Sequence, residues 1–189
     1  AAMPGMILIQ PCTDAEVEMA VDFCINQYEQ SSYLRLTPLP IETPYQLPDD
    51  YELTLGKGVE LTTGDDAVLF GYGPVMLSQA VQASRDLERQ GIGLKVVNLP
   101  WLNTVNADWL AETIGSYSWV FTLDDHYVTG GQGDMVLSQL AQLDLETHPR
   151  ARKLGVDRIP ECGSNDDVLR AHGLDAEGIA ASVASTLGK

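Results

Sequence analysis

The stretch from Thr122 to Asp134 constrains this chain more than any other. An apolar run over residues 118–123 ends in two carboxylates, Asp124 and Asp125, followed by His126. A glycine-rich turn, Gly130, Gly131, Gln132 and Gly133, leads into a helical pattern over residues 135–143. A strand, an acidic tip, a Gly-Gly turn and a helix together describe one edge of a parallel α/β sheet, the edge at which such folds bind ligands.

The remaining pattern extends that sheet. Residues 58–62 alternate like a strand, and residues 67–72 form the near-continuous apolar run of a central parallel strand. Gly73 and Pro74 open a helix, with proline in its first turn and Leu77, Ala80, Val81, Ser84 and Leu87 on one face. A strand at 94–99, a short helix at 107–114, a strand at 153–159 and two helices after Ser164 and Asp175 follow. The expected fold class is a three-layer α/β/α domain from about Gly56 to the end.

Before it lies a smaller unit. Residues 6–9 read as a strand. Thr13 and Glu16 form a T-x-x-E capping box for a helix that buries Val17, Val21, Cys24 and Tyr28 and stops near Gln30. Residues 33–36 read as a second strand carrying an isolated cation, Arg35. Pro38, Pro40, Pro44 and Pro48 make the next stretch an extended linker. The opening residues, Ala1, Ala2, Met3 and Pro4, resemble a cut end more than a natural start.

Composition excludes some classes. A net charge of −16 repels phosphate backbones, so no nucleic-acid partner is expected. No apolar run approaches the ~20 residues of a membrane span, so no membrane partner is expected either. Cys12, Cys24 and Cys162 are widely spaced with no visible leader, which reads as reduced and cytoplasmic.

Several motifs could carry chemistry. Gly71, Gly73 and Pro74 could hold an anion on backbone N–H groups, or simply form a tight turn; Met76 stands where a dinucleotide fingerprint has its third glycine. Gly130 to Gly133 makes the same offer. Asp124, Asp125 and His126 are poor metal ligands as a set, because neighbours on a strand face opposite ways. His126 is a proton carrier, a phosphate contact or a structural group. Arg35 is either a surface arginine or a clamp for phosphate or carboxylate.

The order of motifs resembles a known family. Pro4, Gly5 and Met6, then Gln10, Pro11, Cys12, Thr13, Asp14 and Glu16, then Tyr33 to Leu36 are similar to the late part of the pyrimidine-binding domain of transketolases. Gly56, Lys57 and Gly58, then Leu61, Gly64, Asp65 and Asp66, then Gly71 and Gly73 are similar to the domain that follows it. Residues 91–98, Asp124 to His126 with Gly130 to Gly133, and Gly173 to Asp175 continue the resemblance over nearly the whole chain.

The resemblance implies a division into a pyrimidine-domain remnant at 1–37, a linker at 38–55 and a transketolase C-terminal domain at 56–189. It implies a mixed, mostly parallel five-stranded sheet with strand 58–62 antiparallel. It implies a thiamine-diphosphate enzyme transferring two-carbon ketol units between sugar phosphates, built as a homodimer or with a paired N-terminal subunit. Arg35 aligns with the arginine that binds the substrate phosphate, and His126 is the second expected substrate contact.

Departures from the family pattern are specific. The Gly-Asp-Gly that opens the metal and diphosphate motif is absent, since Gly133 and Asp134 are followed by Met135. The catalytic glutamate belongs upstream of residue 1, and Pro-Leu-Asp is replaced at Pro100 to Asn103. No catalytic, cofactor-holding or metal-holding residue is therefore expected here. Thiamine diphosphate and Mg²⁺ belong to the complete enzyme, and this section alone is expected to be inactive. The beta component of a 2-oxo acid dehydrogenase and a non-catalytic module of the same fold are the alternative readings.

Overall fold

The computed structural model describes residues 3–38, 41–115 and 117–189; Pro40 of the linker and the opening Ala1 and Ala2 lie outside them. Its centre is a five-stranded sheet. The strands are β3 (Val59–Glu60), β4 (Ala67–Gly71), β5 (Leu94–Asn98), β6 (Trp119–Tyr127) and β7 (Arg150–Val156), in the order β3-β5-β4-β6-β7. Before it come β1 (Ile7–Ile9), α1 (Asp14–Asp22), a π-helical turn (Phe23–Gln27) and β2 (Ser32–Leu34). The remaining helices are α2 (Pro74–Glu88), α3 (Ala107–Ile114), α4 (Gln132–Leu140), α5 (Asn165–Ala171) and α6 (Ala176–Leu187). Only β3 runs antiparallel within this sheet.

Two apolar layers sandwich the sheet, which explains why β4 is apolar at every position. Ala67 and Leu69 face a cluster built by α2 and α6. Val68 and Phe70 face the opposite cluster, with Leu110 and Ile114 of α3 and Val136 and Leu140 of α4. The face of α2 reads as the spacing requires, with Leu77, Ala80, Val81, Ser84 and Leu87 all buried. No helix among the described residues is long and apolar enough to cross a membrane.

The N-terminal unit joins the second cluster through Ile7, Ile9, Ala20 and Phe23. Trp101, fully buried, takes the edge of Phe23 at 5.2 Å and bridges to Ile9. Asn103 receives the Leu8 N–H at 3.0 Å and donates to the Met6 carbonyl at 2.8 Å. The unusual segment from Pro100 to Asn103 is therefore the dock for β1. Parallel β1 and β2 form a two-stranded sheet, with Ile7 opposite Ser32.

The predicted face of α1 is wrong in part. Val21 is exposed and Val17, Cys24 and Tyr28 are half-buried, while Glu16, Ala20 and Phe23 turn inward. The reason is Glu16. Thr13 does accept from the Glu16 N–H, at 3.2 Å, but the carboxylate does not return to Thr13. It accepts instead from the Cys12 N–H at 2.7 Å, from Tyr51 Oη at 2.8 Å and from Asn98 Nδ2 at 2.7 Å. One fully buried carboxylate thus joins α1, the segment after the prolines and β5. Burial raises its pKa, against those hydrogen bonds.

At the other edge Asp124 is also fully buried and sits inside β6, not beyond it. Its two oxygens accept the N–H groups of Gln132 at 2.7 Å and Gly133 at 3.0 Å, so it satisfies the first turn of α4. Helix α4 consequently starts at Gln132, three residues before the apolar periodicity does.

Two positions give measurable outcomes. Glu16→Ala strands three buried donors and should cost about 3 kcal/mol or more in urea unfolding, about 1 kcal/mol per donor at the low end. The raised pKa means the folded state holds the Glu16 proton more tightly than the unfolded chain. That stability is complete below the ordinary glutamate value of 4.5 and is lost as pH rises towards the folded value. Wild type should therefore lose stability relative to Glu16→Gln as pH rises above the ordinary glutamate value of 4.5; a gain would show the carboxylate held ionised. Gly133→Ala is the second. Its Cβ would press on Thr122 Oγ1 and lie 3.0 Å from Asp124 Oδ2, at a cost of about 1–3 kcal/mol by the same measurement.

Candidate functional site

In sheets of this type ligands approach the carboxyl ends of the strands, where neighbouring strands send their connections opposite ways. Here β4 leads through α2 to β5 on one side, and β6 leads through α4 to β7 on the other. The crevice between β4 and β6 is filled from within the chain. Gln10, just past β1, and Arg35, just past β2, reach into it.

Arg35 Nη1 donates to Gln10 Oε1 at 2.7 Å and to Asp125 Oδ1 at 2.5 Å. The hydroxyl of Tyr72, the buried residue between Gly71 and Gly73 in sequence, lies 3.0 Å from Asp124 Oδ1 and 3.2 Å from Asp125 Oδ1. The alternation that should separate the two aspartates fails because β6 carries a register shift between Leu123 and Tyr127. A bulge lets one phenol bridge both. The result is a chain of polar contacts from Arg35 through Asp125, Tyr72 and Asp124 to the start of α4.

The electrostatics follow from depth. Burial raises the Asp124 pKa, while the Gly133 N–H, Tyr72 and the Gln132 N–H pull it down. Burial raises Tyr72 as well, reinforced by the two aspartates. At Arg35 burial opposes the charge, but Asp125 outweighs it and holds the guanidinium above its ordinary range. Asp125 is one-quarter exposed and Arg35 two-fifths exposed, so this end of the network meets solvent.

Both glycine turns are approached from within the chain. A Cβ on Gly73, at φ 69°, would lie 2.5 Å from Gln10 Nε2, so the close approach allowed there is to a glutamine. The N–H groups of the second turn serve Asp124. Among the described residues no group of three histidines, cysteines or acids converges on a metal position.

Of the residues singled out by sequence, Arg35 and Asp125 come together and His126 stands apart. His126 is exposed, and its Nδ1 lies 2.8 Å from the Tyr127 carbonyl, which accepts. The roles of Gln10 and Tyr72 were missed. Gln10 had one signal: it follows β1 as Arg35 follows β2, and parallel neighbours bring such positions side by side.

This geometry has relatives. The family model "Transketolase, C-terminal domain" matches residues 56–179. The chain is 33% identical over 183 residues to 1-deoxy-D-xylulose-5-phosphate synthase of Syntrophotalea carbinolica, covering 96% of this chain and 28% of that protein. It is 26% identical over 189 residues to a putative transketolase C-terminal section of Methanocaldococcus jannaschii, covering 58% of that protein. Among solved structures, a split-gene transketolase described as an inactive beta4 tetramer superimposes with a TM-score of 0.84 at 26% identity, covering 99% of this chain and 59% of that one. A Pichia stipitis transketolase in complex with sedoheptulose-7-phosphate shares the fold, with a TM-score of 0.72 at 18% identity, covering 99% of this chain and 26% of that one. The chain thus spans roughly a quarter to three-fifths of the length of these proteins, and it belongs to the transketolase C-terminal domain family.

Proposed function

We propose that this chain is the C-terminal section of a thiamine-diphosphate-dependent transketolase, which moves two-carbon ketol units between sugar phosphates. Arg35 carries the reading. Its guanidinium is aligned by Gln10 and Asp125 and remains two-fifths exposed at the ligand edge of the sheet. An arginine held on one nitrogen keeps further N–H donors for a phosphate, which it can grip in a bidentate manner.

The chain's role is to shape the rim and position that arginine. The cofactor, when bound in the complete enzyme, supplies carbanion stabilisation. The Gly-Asp-Gly that opens the family's metal and diphosphate motif is broken at Met135, so we assign cofactor binding to an N-terminal section or a second subunit. A family resemblance to sections and subunits of longer transketolases supports such pairing. His126, exposed on the strand beyond Asp125, would be a further substrate contact from the same rim.

The test is kinetic, on this chain assembled with its N-terminal section. Loss of a charge-assisted hydrogen bond worth about 1.5–3 kcal/mol corresponds to about ten- to a hundredfold in KM. Arg35→Ala should raise KM by that factor for phosphorylated ketoses and leave unphosphorylated ketoses nearly unchanged. Equal loss on both would remove Arg35 from phosphate recognition, and turnover of 2-oxo acids alone would replace the ketol-transfer reading.

A further inference from the structure

Beside the Arg35–Asp125 pair lies a cavity of about 390 Å³ at the carboxyl ends of β4, β6 and β7. Val75 and Met76 of α2 form one apolar wall. Val168 and Leu169 of α5, with Leu174, form the other, and the charged Arg35 and Asp125 line the cavity along with the neutral polar groups of Thr37, Asn165 and His172. Apolar walls with a few polar groups in a volume of roughly 300–1,000 Å³ describe a small-molecule pocket.

Its polar groups select by charge. Arg35 uses Nη1 for Gln10 and Asp125, while its Nη2 and Nε have no partner among the described residues. Asp125 uses Oδ1 for Arg35 and Tyr72, and its Oδ2 has no partner among the described residues. Free donors and a free acceptor thus belong to one contacting pair, 2.5 Å apart. An anion on Arg35 alone leaves the free Asp125 oxygen without a partner, and a cation on Asp125 alone leaves the free guanidinium donors without one. A ligand carrying carboxylate and ammonium on one carbon offers each charge its counterpart, and an apolar side chain fills the space beyond.

We infer that this cavity binds a small apolar α-amino acid, its carboxylate on Arg35, its ammonium on Asp125, and its side chain between α2 and α5. The site shares Arg35 with the proposed phosphate clamp but takes a different ligand, and it needs only this chain. Occupation would withdraw Arg35 from a sugar phosphate, so the amino acid would act as a competitive effector of the assembled enzyme.

Titration of the 189-residue chain with L-leucine and L-phenylalanine, followed by heteronuclear NMR, tests this directly. Isovalerate supplies the carboxylate without the ammonium, and isoamylamine the reverse. The expected result is saturable binding at about 1 mM or tighter for the amino acids, with both analogues at least about tenfold weaker. Asp125→Asn should bring leucine and isovalerate level. Val168→Trp, from the half-buried face of α5, should fill the cavity and abolish binding while circular dichroism stays native. No binding up to about 10 mM, equal binding of leucine and isovalerate by the wild type, or undiminished binding by a folded Val168→Trp variant would each overturn the inference. None of these outcomes touches the KM ratio that tests the phosphate clamp.

Discussion

One buried carboxylate, Asp124, organises the functional edge of this molecule. It sits in a central strand with no exposed surface, where an unsatisfied charge would be strongly destabilising. Two helix N–H groups and one phenol meet it. Each partner is fixed in turn. The N–H groups start α4 at Gln132, the phenol locks the turn between β4 and α2, and the same phenol reaches Asp125 and so Arg35. The side chain turned outward at the bulge is held by the one turned inward.

The N-terminal unit depends on a comparable device at its own interface. Two strands and one helix bury too little surface to stand alone. They are stable here because Trp101 and Asn103 receive β1, and because Glu16 draws α1, Tyr51 and Asn98 to one point. The departure from the family pattern at Pro100 to Asn103 is therefore a matter of packing at this dock. Such polar junctions specify one arrangement more than they add stability, since their gain over hydrated groups is modest and their loss is expensive.

What could be read from the sequence follows the same division. The sheet was legible because strands covered on both faces must be apolar throughout, and α2 because its five buried positions repeat with helical spacing. The antiparallel β3 came from family resemblance, not from its own two residues. The face of α1 was misread because the pattern counts apolar residues, and the group that turns inward is Glu16. That both aspartates reach one phenol was not legible, because strict alternation assumes a regular ladder, and a bulge leaves no mark in the residues themselves. Arg35 stood out as an isolated cation, but its partners lie 25 and 90 residues away, and no local pattern carries that information.

The Arg35–Asp125 pair has little reason to exist for stability. A half-exposed ion pair is worth roughly 0.2–1 kcal/mol after solvent screening and side-chain ordering. Its position is nevertheless prepared at considerable depth. Gln10 is almost fully buried to present one oxygen to Arg35, and Tyr72 is buried to hold Asp125 from behind. Packing that surrounds a weak contact with rigid partners does not strengthen the contact so much as remove its alternatives. A guanidinium fixed in this way has already lost the rotamer freedom that a ligand would otherwise have to freeze, at about 0.5–1.5 kcal/mol for a long side chain. The energy invested in the buried shell is recovered as orientation at the exposed end, which is what the proposed phosphate clamp would require.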